Sequence, residues 1–89
     1  MQHHQTHEDV IKRLKRASGH LQRVIEMTES QRPCIETTQQ LHAVINALTN
    51  ARKIFIQDHI EHCIQEGLTS QNADIPALIR ELNAVAKYL

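Results

Sequence analysis

The chain has 89 residues, enough for one small domain, and its ten basic and ten acidic residues give a formal net charge of zero. A neutral chain gives no support for nucleic-acid binding through its total charge. Only a local cluster of basic residues could support such binding. Aromatic residues are 2% of the chain, and there are only two Gly and two Pro. Long helices packed through aliphatic side chains follow from this composition, and a chain this small is expected to oligomerise.

The N-terminal residues show no export signal, because the stretch from Met1 to Asp9 is polar and has no apolar core. No apolar run is long enough to cross a bilayer. We therefore expect a cytoplasmic protein without a membrane partner, in which thiols stay reduced. Two Cys beside seven His then point to a metal ligand set or a sensor.

The first helix is predicted after a flexible, His-rich tail at residues 1–5, with Thr6 as its N-cap. Apolar and small residues recur at helical spacing after it, namely Val10, Leu14, Ala17, Leu21, Val24, Ile25 and Thr28. Pro33 ends this helix at Arg32, because proline disfavours helical backbone in the residue before it.

The second helix is predicted from about residue 34 to 65, since no Gly or Pro interrupts its apolar pattern before Gly67. It would be roughly 45–50 Å long, too long to be buried by its own chain, so it needs a partner subunit. A polar loop is expected at 67–73, then a short helix capped by Asp74 with Pro76 in its first turn, docked outside the hairpin. Residues 1–89 thus read as one all-α, three-helix domain.

His59 and Cys63 are candidate metal ligands, because residues four apart share one face of a helix. His62 flanks the pair. The alternative is that Cys63 is a small core residue and His59 an interface histidine.

Cys34 lies at the other end of the same helix, roughly 37 Å from His59 along the axis. The two cannot meet within one chain, but they can in an antiparallel pair of identical helices crossing near residues 46–49. A two-fold axis would then create two equivalent sites, each spanning both subunits. The alternative for Cys34 is a free surface thiol or a helix cap.

The Cys, His, Cys set is rich in sulfur and suits Cu(I), or Ni(II) or Zn(II) if nitrogen ligands are added. His3, His4 or His7 could supply that nitrogen; the alternative is that all three are solvated. His20 and His42 are expected to be ordinary helix histidines. A Cys/His enzyme is not expected, because the sequence has no Gly-rich turn, oxyanion loop or sheet.

Basic residues cluster on the first two helices and are the candidate contacts to DNA. They are Lys12, Arg13, Lys15, Arg16, Arg23, Arg52 and Lys53. In an oligomer such patches repeat and phosphate contacts sum, although each run could equally be a solvated face. No helix-turn-helix is visible, so binding would depend on backbone contacts and DNA shape.

Several segments together resemble the CsoR/RcnR family of sensor repressors, over residues 7–88. They are Arg13-Leu14-Lys15-Arg16, Gly19-His20-Leu21, Met27, Arg32-Pro33-Cys34, Gln40-Leu41-His42-Ala43-Val44 and Asp58-His59-Ile60-Glu61-His62-Cys63. The family includes copper, nickel/cobalt, formaldehyde and persulfide sensors. The resemblance implies an antiparallel homodimer forming a four-helix bundle, a homotetramer of two such dimers, and apo-protein bound to operator DNA.

Residue by residue, Cys34, His59 and Cys63 match the ligand trio of the copper-sensing members. His59 distinguishes the chain from persulfide sensors, and Cys63 distinguishes it from nickel/cobalt sensors with histidine there and from formaldehyde sensors. Pro33 departs from the Tyr of copper members, and a His near the N-terminus resembles a nickel-binding branch. The resemblance therefore favours a Cu(I)-released repressor, with Ni(II), Co(II), Zn(II) or a thiol-reactive signal as alternatives. A metal buffer without DNA binding and a purely structural helical protein are further alternatives.

Overall fold

The protein, seen in a computed structural model that describes the backbone of residues 2–89 and the side chains of residues 5–89, is built from helices. They are α1 (Gln2–Glu29), α2 (Cys34–Thr69) and α3 (Ile75–Ala86). α1 and α2 pack along each other as an antiparallel hairpin, and among the described residues α3 packs against α2 only. The predicted all-α, three-helix fold is confirmed. Within the described part of the chain no helix has the length and hydropathy to span a membrane.

The seam between α1 and α2 follows a seven-residue spacing. Val10, Ala17 and Val24 of α1 are buried, as are Val44 and Ala51 of α2. Seven residues correspond to about two turns of an α-helix, so residues at this spacing lie on the same side of the helix. The small and β-branched side chains therefore stay in contact along the hairpin, provided that the two helices supercoil slightly.

α1 begins at Gln2, so Thr6, which we expected at the N-cap, lies inside the helix. Backbone of residues 2–5 is helical where the sequence suggested a tail, because neither Gly nor Pro interrupts this stretch. Flexibility of the segment stays a prediction.

The turn between α1 and α2 ends the first helix at Glu29, three residues before Arg32, where the sequence predicted its end. Gln31 adopts the left-handed conformation with φ 57°, and the Arg32 N–H donates to the Met27 carbonyl at 3.0 Å. This bond satisfies a carbonyl left open at the helix end. Pro33 then occupies the N-cap of α2 with extended backbone.

α2 runs without interruption for 36 residues, which confirms the predicted long helix but not its end at 65. The loop expected at 67–73 starts only at Ser70, and Gly67 is helical. The glycine makes room for α3 here and does not end the helix, since a Cβ at this position would lie 3.3 Å from Leu78 Cδ1 and 3.5 Å from Ile75 Cδ1. Gly67 costs α2 about 1 kcal/mol relative to Ala, and it lets the start of α3 approach α2 closely.

α3 begins as predicted, since the Asp74 carboxylate accepts the Ala77 N–H at 3.1 Å and Pro76 lies in the first turn. The cap fixes the entry of α3 after the Ser70–Ala73 turn. As a result α3 folds back along the C-terminal half of α2.

One flank of the α1–α2 hairpin is apolar and open, and we call it the apolar flank. Its members are between 41% and 53% exposed: Leu14, Leu21 and Ile25 from α1, and Leu41, Ile45 and Leu48 from α2. The opposite flank of the seam is polar, with Arg13, Arg16 and His20 on α1 and Asn50 on α2. Six large, exposed aliphatic side chains on one face of a small domain form an apolar patch of the kind that usually packs against another protein chain.

Candidate metal centre

His59 and Cys63 meet on α2 as the sequence predicts. The Cys63 Sγ lies 3.7 Å from His59 Nε2. Cys63 is buried at 5% exposure and His59 is partly buried. α3 provides this burial, because it lies over the last turns of α2. The two side chains therefore converge on one point that is shielded from solvent on the α3 side.

Glu81 of α3 holds the His59 ring, and sequence reasoning missed it. Its Oε1 lies 3.0 Å from His59 Nε2. Because a carboxylate only accepts, Nε2 carries the proton of this hydrogen bond. In a neutral imidazole the lone pair is then on Nδ1, and a metal bound there would leave the Glu81 contact in place. The nitrogen beside Cys63 Sγ is Nε2, so a metal held by Cys63 and Nε2 together would have to replace the Glu81 contact. At 100° per residue, position 81 lies about 60° from Leu78, at the edge of the apolar side of α3, so the sequence held only a weak signal for this contact.

Burial raises the pKa of the Cys63 thiol, and the nearby Glu81 and Glu66 carboxylates raise the same pKa further. Desolvation and negative charge both disfavour the thiolate. A metal binds the thiolate, so binding at Cys63 has to displace a proton. The surroundings of Cys63 thus favour the protonated thiol over the thiolate.

Cys34 is far from the pair, at the opposite end of α2. It is exposed, and its Sγ lies 3.8 Å from Thr38 Oγ1. The helix is continuous, so 25 residues separate Cys34 from His59 by about 37 Å. Among the residues whose side chains are described, no three His, Cys, Asp or Glu side chains are grouped to hold a metal ion.

All three candidate ligands nevertheless project from the same side of α2. At 100° per residue, Cys34, His59 and Cys63 fall within about 60° of one another around the axis, together with Leu41, Ile45 and Leu48. The two ends of the ligand set are thus joined by the apolar flank. A second α2 lying antiparallel along this flank would bring its own Cys34 to the His59–Cys63 turn.

The remaining predicted nitrogen ligands are in different surroundings. The His7 ring stacks on Phe55, with centroids 5.4 Å apart and planes at 29°. His62 Nε2 lies 3.6 Å from Glu66 Oε2, on the neighbouring face of α2. The side chains of His3 and His4 lie outside the described residues. His7 is thus packed against α2 one helical turn from His59, rather than solvated.

The predicted DNA-binding residues are all exposed: Lys12, Arg13, Lys15, Arg16, Arg23, Arg52 and Lys53. The structure divides them between different surfaces. Arg13 and Arg16 line a groove on the polar flank of the hairpin. Arg52 and Lys53 line another, beside Tyr88 after α3, and Arg52 also borders the groove of about 480 Å³ next to His59.

Comparison with known proteins identifies the family of the chain. Residues 6–88 match the family of metal-sensitive transcriptional repressors. The copper-sensing transcriptional repressor CsoR of Mycobacterium ulcerans (strain Agy99) is 33% identical over 78 residues, which are 88% of this chain and 65% of that protein. CsoR of Bacillus subtilis (strain 168) is 28% identical over 67 residues, covering 75% of this chain and 66% of the relative.

The fold has a matching solved structure, the nickel-responsive transcriptional regulator InrS. It superposes with a TM-score of 0.80 at 30% identity, covering 92% of this chain and 91% of the InrS chain. The chain spans about two thirds of the length of the copper-sensing relatives. With the match over residues 6–88 and the shared three-helix fold, the chain belongs to the family of metal-sensitive transcriptional repressors.

Proposed function

We propose that this protein is a cytoplasmic transcriptional repressor that binds operator DNA as apo-protein and is released when Cu(I) binds at Cys34, His59 and Cys63. One observation carries the proposal: a converging Cys–His pair and a second Cys lie at opposite ends of one flank of an unbroken helix. Such a placement serves a site shared between two chains. The copper-sensing relatives support the metal, and membership of a family of transcriptional repressors supports the cytoplasmic location.

The apolar flank is the contact by which two chains would form a homodimer. Antiparallel α2 helices related by a two-fold axis near residues 46–49 would place Leu48 beside its own copy, and would place Leu41 level with about residues 52–55 of the other chain. The same operation brings Cys34 of one chain to His59 and Cys63 of the other, twice. α1 adds its exposed leucines, which completes a four-helix bundle, and two such dimers make the homotetramer.

Release follows from what the ligands would do to the dimer. His59 and Cys63 of one chain and Cys34 of its partner would bind the same metal ion. All three can reach that ion only in one relative placement of the two α2 helices. Basic residues on the outer surfaces of the two chains then have one fixed spacing. An apo-dimer can instead adopt the spacing that fits DNA, so metal and DNA select different arrangements.

The identity of the bound metal can be tested directly. Two thiolates and one imidazole complete a site for Cu(I), which as a d¹⁰ ion shows no d–d bands. The similarity to the nickel-responsive regulator InrS supports Ni(II) as the alternative metal. Square-planar Ni(II) needs a fourth ligand, and the candidates for it are His3, His4 and His7. Deleting residues 1–5, with His7→Ala as a companion variant, should leave the metal response intact. Loss of the metal response in either variant would mean that the protein senses a metal bound by an N-terminal histidine, and not Cu(I).

DNA binding separates this proposal from a cytosolic metal buffer with the same ligands. A gel shift with reduced apo-protein and a duplex from the promoter of its own operon should show a retarded complex. Adding Cu(I) should remove it, and a chelator should restore it. A buffer would bind metal and never retard the duplex, and a structural protein would do neither. An unrelated duplex of equal length is the control for non-specific binding.

A further inference from the structure

The contact between α2 and α3 is slight for the part it plays beside the candidate ligands. None of the residues of α3 is buried, and among the described residues α3 packs against α2 only. A helix held without buried side chains of its own opens at a low cost in free energy. The position of α3 therefore depends on the details of this one contact.

Gly67 lies inside the contact. A Cβ built on it would lie 3.3 Å from Leu78 Cδ1 and 3.5 Å from Ile75 Cδ1. Carbon atoms attract each other best at about 3.5–4.0 Å, so any side chain at position 67 would press against α3. The bare backbone of α2 thus forms part of the surface on which α3 rests.

The other glycine of the chain shows that this is a property of the position and not of glycine in a helix. Gly19 also lies within a helix, but a Cβ there would meet no atom within 4 Å. Both glycines weaken their helices relative to alanine, and only at Gly67 does a neighbouring helix use the space. Gly19 is therefore a matched reference position.

α3 gives two things to the His59–Cys63 pair, and both depend on its distance from α2. Cys63 is four residues before Gly67, so the two share the face of α2 that α3 covers, and Cys63 is only 5% exposed. Glu81, about one turn after Leu78, reaches His59 Nε2 at 3.0 Å. Such a hydrogen bond is lost beyond about 3.5 Å, so a shift of α3 by about half an ångström would break it.

We propose that Gly67 is a positioning residue: by lacking a side chain, it sets α3 at the distance at which α3 closes off the Cys63 thiol and Glu81 holds the His59 ring. The proposal rests on the proposed function only in taking His59 and Cys63 as ligands. It makes the two thiols of the chain unequal, because Cys34 is exposed whereas Cys63 opens to solvent only when α3 moves. A residue that does not touch the metal thus controls access to one of its ligands.

Gly67→Val tests the proposal by adding an isopropyl group on the α3 side of α2, and Gly19→Val is the control with the same change in helix propensity. Reduced apo-protein is treated with iodoacetamide, and mass spectrometry gives the alkylation rate of each cysteine. In Gly67→Val, the rate at Cys63 relative to Cys34 should rise at least about tenfold, because displaced α3 leaves the thiol open. Gly19→Val should keep the wild-type ratio. An unchanged ratio in Gly67→Val would overturn the proposal.

A compensating change shows whether spacing is the cause. Leu78→Ala removes an isopropyl group from α3, so Gly67→Val/Leu78→Ala moves that group across the contact and conserves the total volume. The double variant should alkylate Cys63 several-fold more slowly than Gly67→Val does. A double variant as reactive as Gly67→Val would mean that the spacing is not the cause, and the proposal would fail.

The His59 ring provides a spectroscopic readout in the same apo-proteins. At mildly alkaline pH, ring-nitrogen NMR shifts of the wild-type protein should show the proton that Glu81 fixes on Nε2. Gly67→Val should give the ring signals of Glu81→Ala, which lacks the partner, while circular dichroism shows unchanged helix content. Wild-type ring signals in Gly67→Val would contradict the role of Gly67 in placing Glu81.

Gly67→Ala covers the case in which Gly67→Val does not fold, because it adds only a Cβ and raises helix propensity. Its ratio of Cys63 to Cys34 alkylation should exceed that of Gly19→Ala, and equal ratios would overturn the proposal. All these measurements use protein without metal or DNA, so they are independent of repression. If the protein binds no promoter duplex but Cys63 and His59 respond as expected, the repressor fails and the positioning role of Gly67 stands.

Discussion

Two variants that each bind Cu(I) poorly are expected to regain tight binding when they are mixed. Cys34→Ala removes one ligand, and the double variant His59→Ala/Cys63→Ala removes the other two. Each homodimer then lacks a complete site. The loss should exceed the 10–100-fold that changes around a ligand set cause, since the ligands themselves are gone. In the heterodimer, one site regains Cys34, His59 and Cys63 from different chains, and the other has none.

The expected stoichiometry is therefore one tightly bound Cu(I) per heterodimer, measured by competition with a Cu(I) chelator. Each variant alone, taken through the same dissociation and mixing steps, is the control. Heterodimer formation is checked by native mass spectrometry. Confirmed heterodimers that still bind poorly would mean that the ligands meet within one chain, which requires a break in α2 between Cys34 and His59.

Metal affinity is expected to rise steeply with pH. Burial and the Glu81 and Glu66 carboxylates raise the pKa of the Cys63 thiol. The thiol is therefore protonated at neutral pH, and metal binding releases its proton. Each proton released makes affinity rise about tenfold per pH unit below that pKa. Chelator competition at several pH values above 7 measures the slope.

Cys63→Ala is the control for this pH dependence, since it lacks the proton in question and its slope should fall by one proton. An equal slope in both proteins would place the released proton elsewhere. The same pKa shift has the opposite consequence for apo-protein stability. The folded state holds the Cys63 proton more tightly than the unfolded chain does, so this contribution is complete at low pH and is lost as pH rises through the raised pKa.

The sequence was sufficient to predict the helices that carry the candidate ligands. An apolar pattern without Gly or Pro from Ile35 to Ile64 indicated one long helix, and the i, i+4 spacing of His59 and Cys63 indicated a converging pair. Both features are local, because helical geometry alone fixes them. Val10, Ala17 and Val24 were among the positions that recur at helical spacing in the first helix, but that spacing did not separate these buried residues from the exposed Leu14 and Leu21.

The contacts between helices could not be predicted from the sequence. Gly67 reads as a helix breaker, and only the approach of Leu78 shows why the helix continues through it. Glu81 reads as an exposed acidic residue of a short helix, because its distance to His59 depends on how α3 folds back. The groove beside Arg16 likewise depends on two alanines that face each other across the seam. Each of these features needs the register between two elements, which composition and spacing leave open.

The central claim is that metal and DNA select different arrangements of one dimer, and the ratio of two DNA affinities tests it most directly. Fluorescence anisotropy with a labelled promoter duplex gives the affinity of reduced apo-protein and of Cu(I)-loaded protein at one salt concentration. A coupling of about 1–3 kcal/mol predicts that metal weakens DNA binding about 5–150-fold, and that a chelator restores it. Equal affinities of the two forms, or tighter binding by the loaded form, would contradict the account.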